Sequence, residues 1–249
     1  MVKAITFDLW DTLLIDDSDE PKRKARGLPS KPVERRDIVY SALKKEKPIP
    51  RMKVDTAYNL VDAAFRHVWY TNHVTWSVKE RLHILLDGLD RKLPEKELLN
   101  LVQLHEEMEL EFKPDLAPGT SEMLEKLHRK FRLGVISDTI FSPGHTLRRI
   151  LEHYNIKKYF DTFTFSDEIG RAKPDPAVFK SAANSLNVQI HEIVHIGDRE
   201  EKDIEGPHAV GAKAIFTTVI KDRGSSHTKA DAVCTDYADL PDIIVQLNN

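Results

Sequence analysis

The chain has 249 residues, near the upper end for one compact domain, and 41% of them are hydrophobic, which is enough to bury a core. Its formal net charge of −3 gives no basic excess, so nucleic acid and anionic membranes are not expected partners. The single cysteine, Cys234, excludes an intramolecular disulfide, and no apolar run is long enough to span a bilayer. Met1 leads directly into a strand pattern without a secretory signal, which predicts a cytoplasmic protein.

The first predicted element is a short buried strand that ends in a carboxylate. An apolar run from Ala4 to Phe7 leads directly into Asp8. Runs without an amphipathic period are typical of parallel sheets, whose ligands bind beyond the carboxyl ends of the strands. Asp8 is therefore a candidate nucleophile, metal ligand or both, although an Asp at a strand end can also simply form a turn.

After this strand, residues 17–114 have the pattern of a helical insert. Residues 16–32 are rich in Asp, Lys, Arg, Pro and Gly, which predicts an exposed excursion. Helices are then predicted over 33–45, 55–70, 78–87 and 94–112. In the second of these helices, Leu60 is placed on the apolar face together with Val61 and Phe65.

Two features of the insert bear on a substrate. Its first part is rich in Lys and Arg, including Lys31 and Arg35, which predicts either a surface attracting an anion or, for most of these residues, a solvated helix face. Four aromatic or imidazole side chains surround a predicted turn between helices, where they either line a pocket or pack against each other. These four are Trp69, Tyr70, His73 and Trp76.

From Pro118 onward, predicted strands and helices alternate. The strands are predicted over 133–137, 162–165, 194–197, 212–219 and 232–234, and the helices over 121–130, 144–154, 174–186, 202–210 and 240–247. This alternation predicts an α/β protein with a Rossmann-like, doubly wound parallel sheet. Residues 1–16 and 115–249 are assigned to this core, and 17–114 to an inserted all-helical domain.

Chemically useful residues follow the later strands. Ser137 and Asp138 end one strand, Lys173 lies in a loop before a proline-started helix, Asp198 ends another strand, and Asp203 follows five residues later. Each has an ordinary alternative: a strand-end cap for Ser137, a solvated lysine for Lys173, and a helix-start pair for the two acids. We expect Asp8 and these residues to converge at one edge of the sheet.

The order of these groups along the chain resembles the four motifs of the haloacid dehalogenase superfamily. The resemblance covers residues 1–16 and 115–249, and the helical insert is similar to the cap of this superfamily, which closes over the site and selects the substrate. It implies a hydrolase, and we expect a phosphatase acting on a small phosphorylated metabolite. Asp8 is then the nucleophile that forms an aspartyl-phosphate, and Ser137, the N–H of Asp138 and Lys173 hold the phosphate.

A cation is expected beside Asp8, since a carboxylate and a phosphate repel each other. Mg²⁺ prefers oxygen ligands and usually takes one or two protein carboxylates, which Asp8 and Asp198 provide. The resemblance adds the backbone carbonyl of Trp10 as a third ligand and Asp203 as a supporting carboxylate.

Trp10 departs from the phosphatases of the superfamily, which usually have an Asp there to protonate the leaving oxygen. Such general acid help is typically worth about 10²–10⁴ in rate. The dehalogenases of the superfamily have an aromatic residue at this position. However, their second motif is Ser-Asn, where this chain has Ser137 and Asp138, and they need no metal. Two alternatives therefore stay open: a 2-haloacid dehalogenase, and a non-catalytic protein that binds metal and phosphate. Asp11 is expected to be a solvent-facing turn residue, and its less favoured role is a substitute proton donor.

Overall fold

The fold is built around one sheet of six parallel strands. The computed structural model describes residues 1–248, and Asn249, the last residue assigned to the core, lies outside the described part. The strands are β1 (Ala4–Phe7), β2 (Arg132–Ser137), β3 (Thr162–Phe165), β4 (Ile193–Gly197), β5 (Lys213–Thr217) and β6 (Ala232–Cys234). Their order across the sheet is β3-β2-β1-β4-β5-β6, and every neighbouring pair is parallel. The predicted doubly wound parallel sheet is confirmed.

The register of the central strands determines where a site can form. Phe7 of β1 lies opposite Val135 of β2 on one side and Ile196 of β4 on the other. The chain runs from β1 toward β3 on one side of the sheet and then crosses to β4 on the other, so β1 and β4 flank the topological switch point. Asp8 and Asp198, which follow these two strands, leave the sheet at this point, where ligands of doubly wound sheets bind.

Helices cover the sheet and also form the insert between β1 and β2. They are α1 (Glu20–Ala25), α2 (Lys31–Glu46), α3 (Arg51–Asn72), α4 (Val78–Gly88), α5 (Glu95–Glu106), α6 (Met108–Glu111), α7 (Thr120–Leu127), α8 (Gly144–His153), α9 (Ser166–Ile169), α10 (Pro176–Leu186), α11 (Gly206–Ala209) and α12 (Leu240–Gln246). A π-helical turn, Glu200–Glu205, precedes α11. Among residues 1–248, no helix combines the length and the apolar character that a membrane crossing requires.

The helical insert has a hydrophobic core of its own. Helices α2 to α5 bury a cluster that includes Leu43, Val54 and Leu82, separate from the larger cluster under the sheet. Phe141, from the loop after β2, packs against this insert cluster and so ties the two parts together. Because the insert buries its own apolar surface, we propose that residues 17–114 form a cap on the core.

Three expectations for the insert were wrong in detail. Residues 16–32 are not simply an exposed excursion, because they include α1 and bury Arg23, and because Lys31 bonds to the buried Asp19 at 2.8 Å and to Glu109 of α6 at 3.0 Å. The predicted helix 94–112 is interrupted at Glu107, so it forms α5 and α6. Leu60 is 70% exposed, because the buried face of α3 runs through Val54, Tyr58, Val61, Phe65 and Trp69.

The buried His105 of α5 makes the stability of this cap depend on pH. Its Nδ1–H donates to the carbonyl of Leu101 at 2.7 Å, and its Nε2 accepts from the hydroxyl of Tyr58 at 3.1 Å. Burial lowers the pKa of His105 from 6.5 to about 4. Between these two pH values the unfolded chain binds a proton at His105 that the folded chain does not bind. The contribution of neutral His105 to the stability of the fold is therefore complete above pH 6.5 and is lost as the pH falls toward 4.

We expect the free energy of unfolding that depends on His105 to decrease by about 2 kcal/mol between pH 7 and pH 5. Urea titrations at both pH values measure it, with the exposed-site variant His83→Gln as the control. His105→Gln should lose that much less stability on acidification than His83→Gln. Equal losses in the two variants would show that His105 is not the group responsible.

Candidate active site

A buried lysine lies between two carboxylates at the centre of the predicted site. Lys173 Nζ is 2.8 Å from Asp8 Oδ1 and 2.5 Å from Asp203 Oδ1, and each of the three residues is at most 5% exposed. Lys173 belongs to the loop before α10, whereas Asp8 follows β1 and Asp203 lies in the π-helical turn after β4. The structure therefore brings together three groups that are far apart in the chain.

Asp203 is held by further groups from β4 and its loop. Its Oδ1 also accepts from His195 Nε2 at 3.2 Å, and its Oδ2 accepts from the backbone N–H of Arg199 at 3.0 Å. His195 in turn accepts at Nδ1 from the hydroxyl of Thr6 at 2.9 Å. Sequence reasoning missed His195, although a polar residue within the apolar run of a buried strand was a visible signal. Because His195 and the backbone of Arg199 hold the Asp203 carboxylate in place, that carboxylate can orient the ammonium group of Lys173.

Asp138 also positions Lys173, but through the backbone. Its Oδ1 accepts from the backbone N–H of Lys173 at 2.8 Å, and its Oδ2 accepts from Lys202 Nζ at 2.8 Å. Lys202 Nζ also lies 3.3 Å from the ring centroid of Trp69 on the insert. Sequence reasoning missed Lys202. It connects the core loop with the insert beside the site.

Asp198 lies next to the other acids and has one free oxygen. One carboxylate oxygen from each of Asp8, Asp198 and Asp203 lies within 4.8 Å of the other two. Asp198 Oδ1 is buried with no hydrogen-bond partner among residues 1–248, while Oδ2 accepts from Arg223. A buried, unpartnered carboxylate oxygen among acids fits a hard cation, for which oxygen ligands are preferred. The residues present therefore fit a metal ion.

Protonation equilibria show how crowded the acids are. Burial raises the pKa of Asp8 to about 7, and the charges of Asp203 and Asp198 raise it too, whereas Lys173 lowers it. Burial acts in the same direction on Asp203, but Lys173 and His195 outweigh it and hold the pKa of Asp203 below its usual range. The charge of Lys173 therefore does not fully offset the effects of burial and of the neighbouring acids on the pKa of Asp8.

Two predicted site residues have less definite surroundings. Ser137, at the end of β2, is 1% exposed, and its hydroxyl donates only a long 3.4 Å hydrogen bond to the carbonyl of Asp138. Trp10 is partly buried and lines a cavity together with Asp8.

Contrary to the sequence prediction, Asp11 is not solvent-facing, because it is 8% exposed and its Oδ2 accepts from Arg223 at 2.5 Å. Arg223, which also binds Asp198, was missed because its loop lies far from every motif.

The site opens into a cavity of about 410 Å³ between core and insert. The core contributes Asp8, Trp10, Asp138, Lys173, Arg199, Lys202 and Asp203, and the insert contributes, among others, Lys31, Arg35, Arg66, Trp69, Tyr70 and Arg81. Of the four residues around the predicted turn, Trp69 and Tyr70 thus line the cavity. Trp76 packs against Phe65, and the carbonyl of His73 accepts from the backbone of Ala172 at 2.7 Å. Arg35 is buried, so the expectation of a solvated face was wrong for it.

Comparisons with known proteins all indicate the same family. A family model described as haloacid dehalogenase-like hydrolase matches residues 2–211. The chain is 26% identical to the glyceraldehyde 3-phosphate phosphatase of Pyrococcus furiosus, over 96% of this chain and 88% of that protein. It is 35% identical to the protein of the same name from Pyrococcus abyssi, but this match spans only 40% of the chain and 41% of that protein.

Solved structures with the same fold include both dehalogenases and phosphatases. A 2-haloacid dehalogenase from Pseudomonas syringae pv. Tomato DC3000 is similar with a TM-score of 0.72 and 25% identity, over 99% of this chain and all of that chain. A HAD phosphatase from Thermococcus onnurineus is similar with a TM-score of 0.63 and 24% identity, over 98% of both chains. The fold is therefore shared across the two activities.

We expect Lys173→Met to lower the free energy of unfolding by about 3–5 kcal/mol in the presence of a chelator, because it leaves two buried carboxylates without their cation. Urea denaturation measures the change. Lys180→Met, at an exposed position of α10, is the control and should stay close to the wild type. Wild-type stability in Lys173→Met would show that the buried ion pairs do not form.

We expect Gly197→Ala to destabilise the protein by about 1–3 kcal/mol through overpacking. A Cβ at position 197 would lie 2.3 Å from Cγ of Asp203, so that carboxylate must move. Gly88→Ala is the matched control, since a Cβ there meets no atom within 4 Å. Thermal unfolding of both variants measures the difference, and equal melting temperatures would contradict the close approach of Gly197 to Asp203.

Proposed function

The chain belongs to the family of haloacid dehalogenase-like hydrolases, and we propose that it acts as a magnesium-dependent phosphatase on small phosphorylated metabolites. The observation that carries the proposal is the buried Asp8–Lys173–Asp203 arrangement, with Asp198 beside it, at the end of one cavity. The names of two relatives support the same chemistry. One is the glyceraldehyde 3-phosphate phosphatase named above, and the other is a phosphorylated carbohydrates phosphatase from Thermotoga maritima, 29% identical over 57% of this chain and 64% of that protein.

In the proposed reaction, Asp8 is the nucleophile. One of its carboxylate oxygens attacks phosphorus, the P–O bond to the ester oxygen breaks, and an aspartyl-phosphate forms on Asp8. The ester oxygen takes a proton from water and leaves as the alcohol. Water then attacks this intermediate and releases inorganic phosphate. Lys173, held by Asp203 and by the backbone contact with Asp138, neutralises charge on both Asp8 and the phosphate. Ser137 and the backbone N–H of Asp138 are proposed to hold a phosphate oxygen.

Asp8, the backbone carbonyl of Trp10 and Asp198 would hold Mg²⁺, with Asp203 supporting them. When bound, this ion would act as a Lewis acid and offset the negative charge of Asp8 and of the phosphate. The unpartnered Oδ1 of Asp198 is the observation in this chain that supports such a ligand set. Asp203 is already engaged by Lys173, His195 and the backbone of Arg199, which supports an orienting role for it.

The leaving oxygen receives no proton from position 10, because Trp10 has none to give. Asp11 does not fit that role either. Its Oδ2 accepts from Arg223 at 2.5 Å and its Oδ1 from the backbone N–H of Asp16 at 3.1 Å, so both oxygens act as acceptors. We therefore expect turnover to be slow for substrates with a poor leaving group, since general acid help is typically worth about 10²–10⁴ in rate.

The proposed function predicts hydrolysis of phosphate monoesters that stops in chelator and in Asp8→Asn. Phosphate release from a set of phosphorylated metabolites measures activity. Acid quenching followed by borohydride reduction locates the aspartyl-phosphate, which should map to Asp8. Asp90→Asn, at an exposed position after α4, is the control and should retain activity. Wild-type turnover in Asp8→Asn would contradict the assigned nucleophile.

A second candidate, a 2-haloacid dehalogenase, is favoured by one observation, the aromatic Trp10 beside Asp8 at the cavity. In that reaction Asp8 would attack carbon and displace halide, which needs no proton. The crowded acids and the free Asp198 oxygen instead favour a site with a cation. Chloride release from 2-chloropropionate in chelator decides between the two candidates. We expect none, and rapid release without metal would replace the phosphatase proposal.

A further inference from the structure

The insert side of the cavity contains two buried arginines that lack acidic partners. Arg35 of α2 is 5% exposed and Arg81 of α4 is 4% exposed, and both line the cavity that Asp8 and Lys173 reach from the core. The Nε atom of each is buried without a hydrogen-bond partner among residues 1–248. A buried charge is strongly unfavourable unless it is paired. Asp62 and Glu109 also line the cavity, but Glu109 pairs with Lys31 and Asp62 with Arg36, and neither is within ion-pair distance of Arg35 or Arg81. The two guanidinium groups therefore have no directly bound anion among the described residues.

Aromatic rings hold the two guanidinium groups in place. Cζ of Arg35 lies 3.7 Å and Cζ of Arg81 lies 4.1 Å from the ring centroid of Phe141, so one ring contacts both. Arg81 also lies 4.5 Å from the ring centroid of Phe65 and donates to the carbonyl of Ile140. Stacking fixes the planes of the guanidinium groups without using all of their N–H donors. The pair is therefore preorganised to receive an acceptor.

The other cations on this side of the cavity do not share these properties. Lys31 pairs with Asp17, Asp19 and Glu109 at 2.8–3.2 Å, and Arg66 is exposed. Arg36, the neighbour of Arg35 on α2, does not line the cavity. It donates to the carbonyl of Pro32 and to Asn59 and lies 3.8 Å from Asp62. Among the described cations that line the cavity from the insert, Arg35 and Arg81 are thus the two that are buried and not ion-paired.

The two charges also act on each other. Burial lowers the pKa of Arg81 to about 10, Tyr58 and Asp62 partly offset this shift, and the nearby charge of Arg35 adds to it. Arg81 nevertheless remains charged near pH 7, since that value lies well above neutrality, and arginine side chains are in general protonated in proteins. Two like charges in one buried position favour an anion that lies between them.

We propose that Arg35 and Arg81 bind a second anionic group of the substrate, so that the preferred substrate is a phosphate monoester that also carries a carboxylate or a second phosphate. This inference rests on the proposed phosphatase function, which places the scissile phosphate beside Asp8 and Lys173. The planar fork of an arginine matches both carboxylate and phosphate through two parallel hydrogen bonds. The scissile phosphate and the second anion would then occupy opposite ends of the same cavity.

Two pairs of ligands test the proposal and separate the two sources of anion. 3-Phosphoglycerate and glycerol 3-phosphate differ only in a carboxylate replacing a hydroxymethyl group. Fructose 1,6-bisphosphate and fructose 6-phosphate differ by one phosphate. Binding of all four to Asp8→Asn is measured by calorimetry, which needs no turnover. In at least one pair, we expect the member with the second anionic group to bind about tenfold or more tightly than its partner, which is the gain that charge-assisted hydrogen bonds provide.

Variants then assign the preference to the two arginines. Arg35→Gln and Arg81→Gln, each combined with Asp8→Asn, should bring the affinity ratio within the preferred pair close to one, and Arg35→Lys should restore part of it. Arg36→Lys is the control and should keep the ratio. Equal affinities within both pairs, or a preference that survives in Arg35→Gln, would overturn the proposal. Wild-type turnover tests the phosphatase function separately, because absent hydrolysis with a preserved binding ratio would overturn that function alone.

Discussion

The buried lysine between two carboxylates is the interaction on which the rest of the site depends. Lys173 comes from a loop before α10, yet its Nζ reaches Asp8 after β1 and Asp203 after β4. These contacts require the parallel order β2-β1-β4 at the centre of the sheet, because only that order brings the ends of β1 and β4 together. Burial makes the arrangement sensitive, since a buried charge that loses its partner is costly. The same burial, together with the charges of Asp203 and Asp198, raises the pKa of Asp8.

The cavity joins this centre to the helical insert, and the two sides differ in their charge balance. On the core side, one oxygen from each of Asp8, Asp198 and Asp203 lies within 4.8 Å of the others, and one oxygen of Asp198 has no hydrogen-bond partner in the described part of the chain, which suits a metal ion. On the insert side, Arg35 and Arg81 are buried cations without an ion-paired carboxylate, and their Nε atoms have no hydrogen-bond partner among residues 1–248, which suits an anion. Lys202 lies between the two, bonded to Asp138 of the core and stacked on Trp69 of the insert. A ligand with anionic groups at both ends would satisfy both sides at once.

The sequence predicted the parts of this structure that depend on local patterns. The strand after Asp161 and the strand ending in Cys234 have the predicted bounds, because short apolar runs between turn residues indicate buried strands. The convergence of Asp8, Lys173 and Asp203 follows from their places beyond strand ends. The parts that were missed depend on distant partners. Lys31, the first residue of α2, bonds to Asp19 before α1 and to Glu109 of α6, and Arg223 reaches Asp198 across 25 positions of the chain. Neither contact leaves a periodic signal in the sequence.

The central claim is that Asp8, Lys173, Asp198 and Asp203 share one cation-bearing pocket. A crystal structure with Mn²⁺ in place of Mg²⁺ and with beryllofluoride tests it most directly, because anomalous scattering locates the ion independently of the protein atoms. We predict one Mn²⁺ bound by Asp8 and Asp198, with the beryllofluoride group on the Asp8 carboxylate and within reach of Lys173. An ion bound elsewhere, or a beryllofluoride group that leaves Asp8 unmodified, would contradict the account.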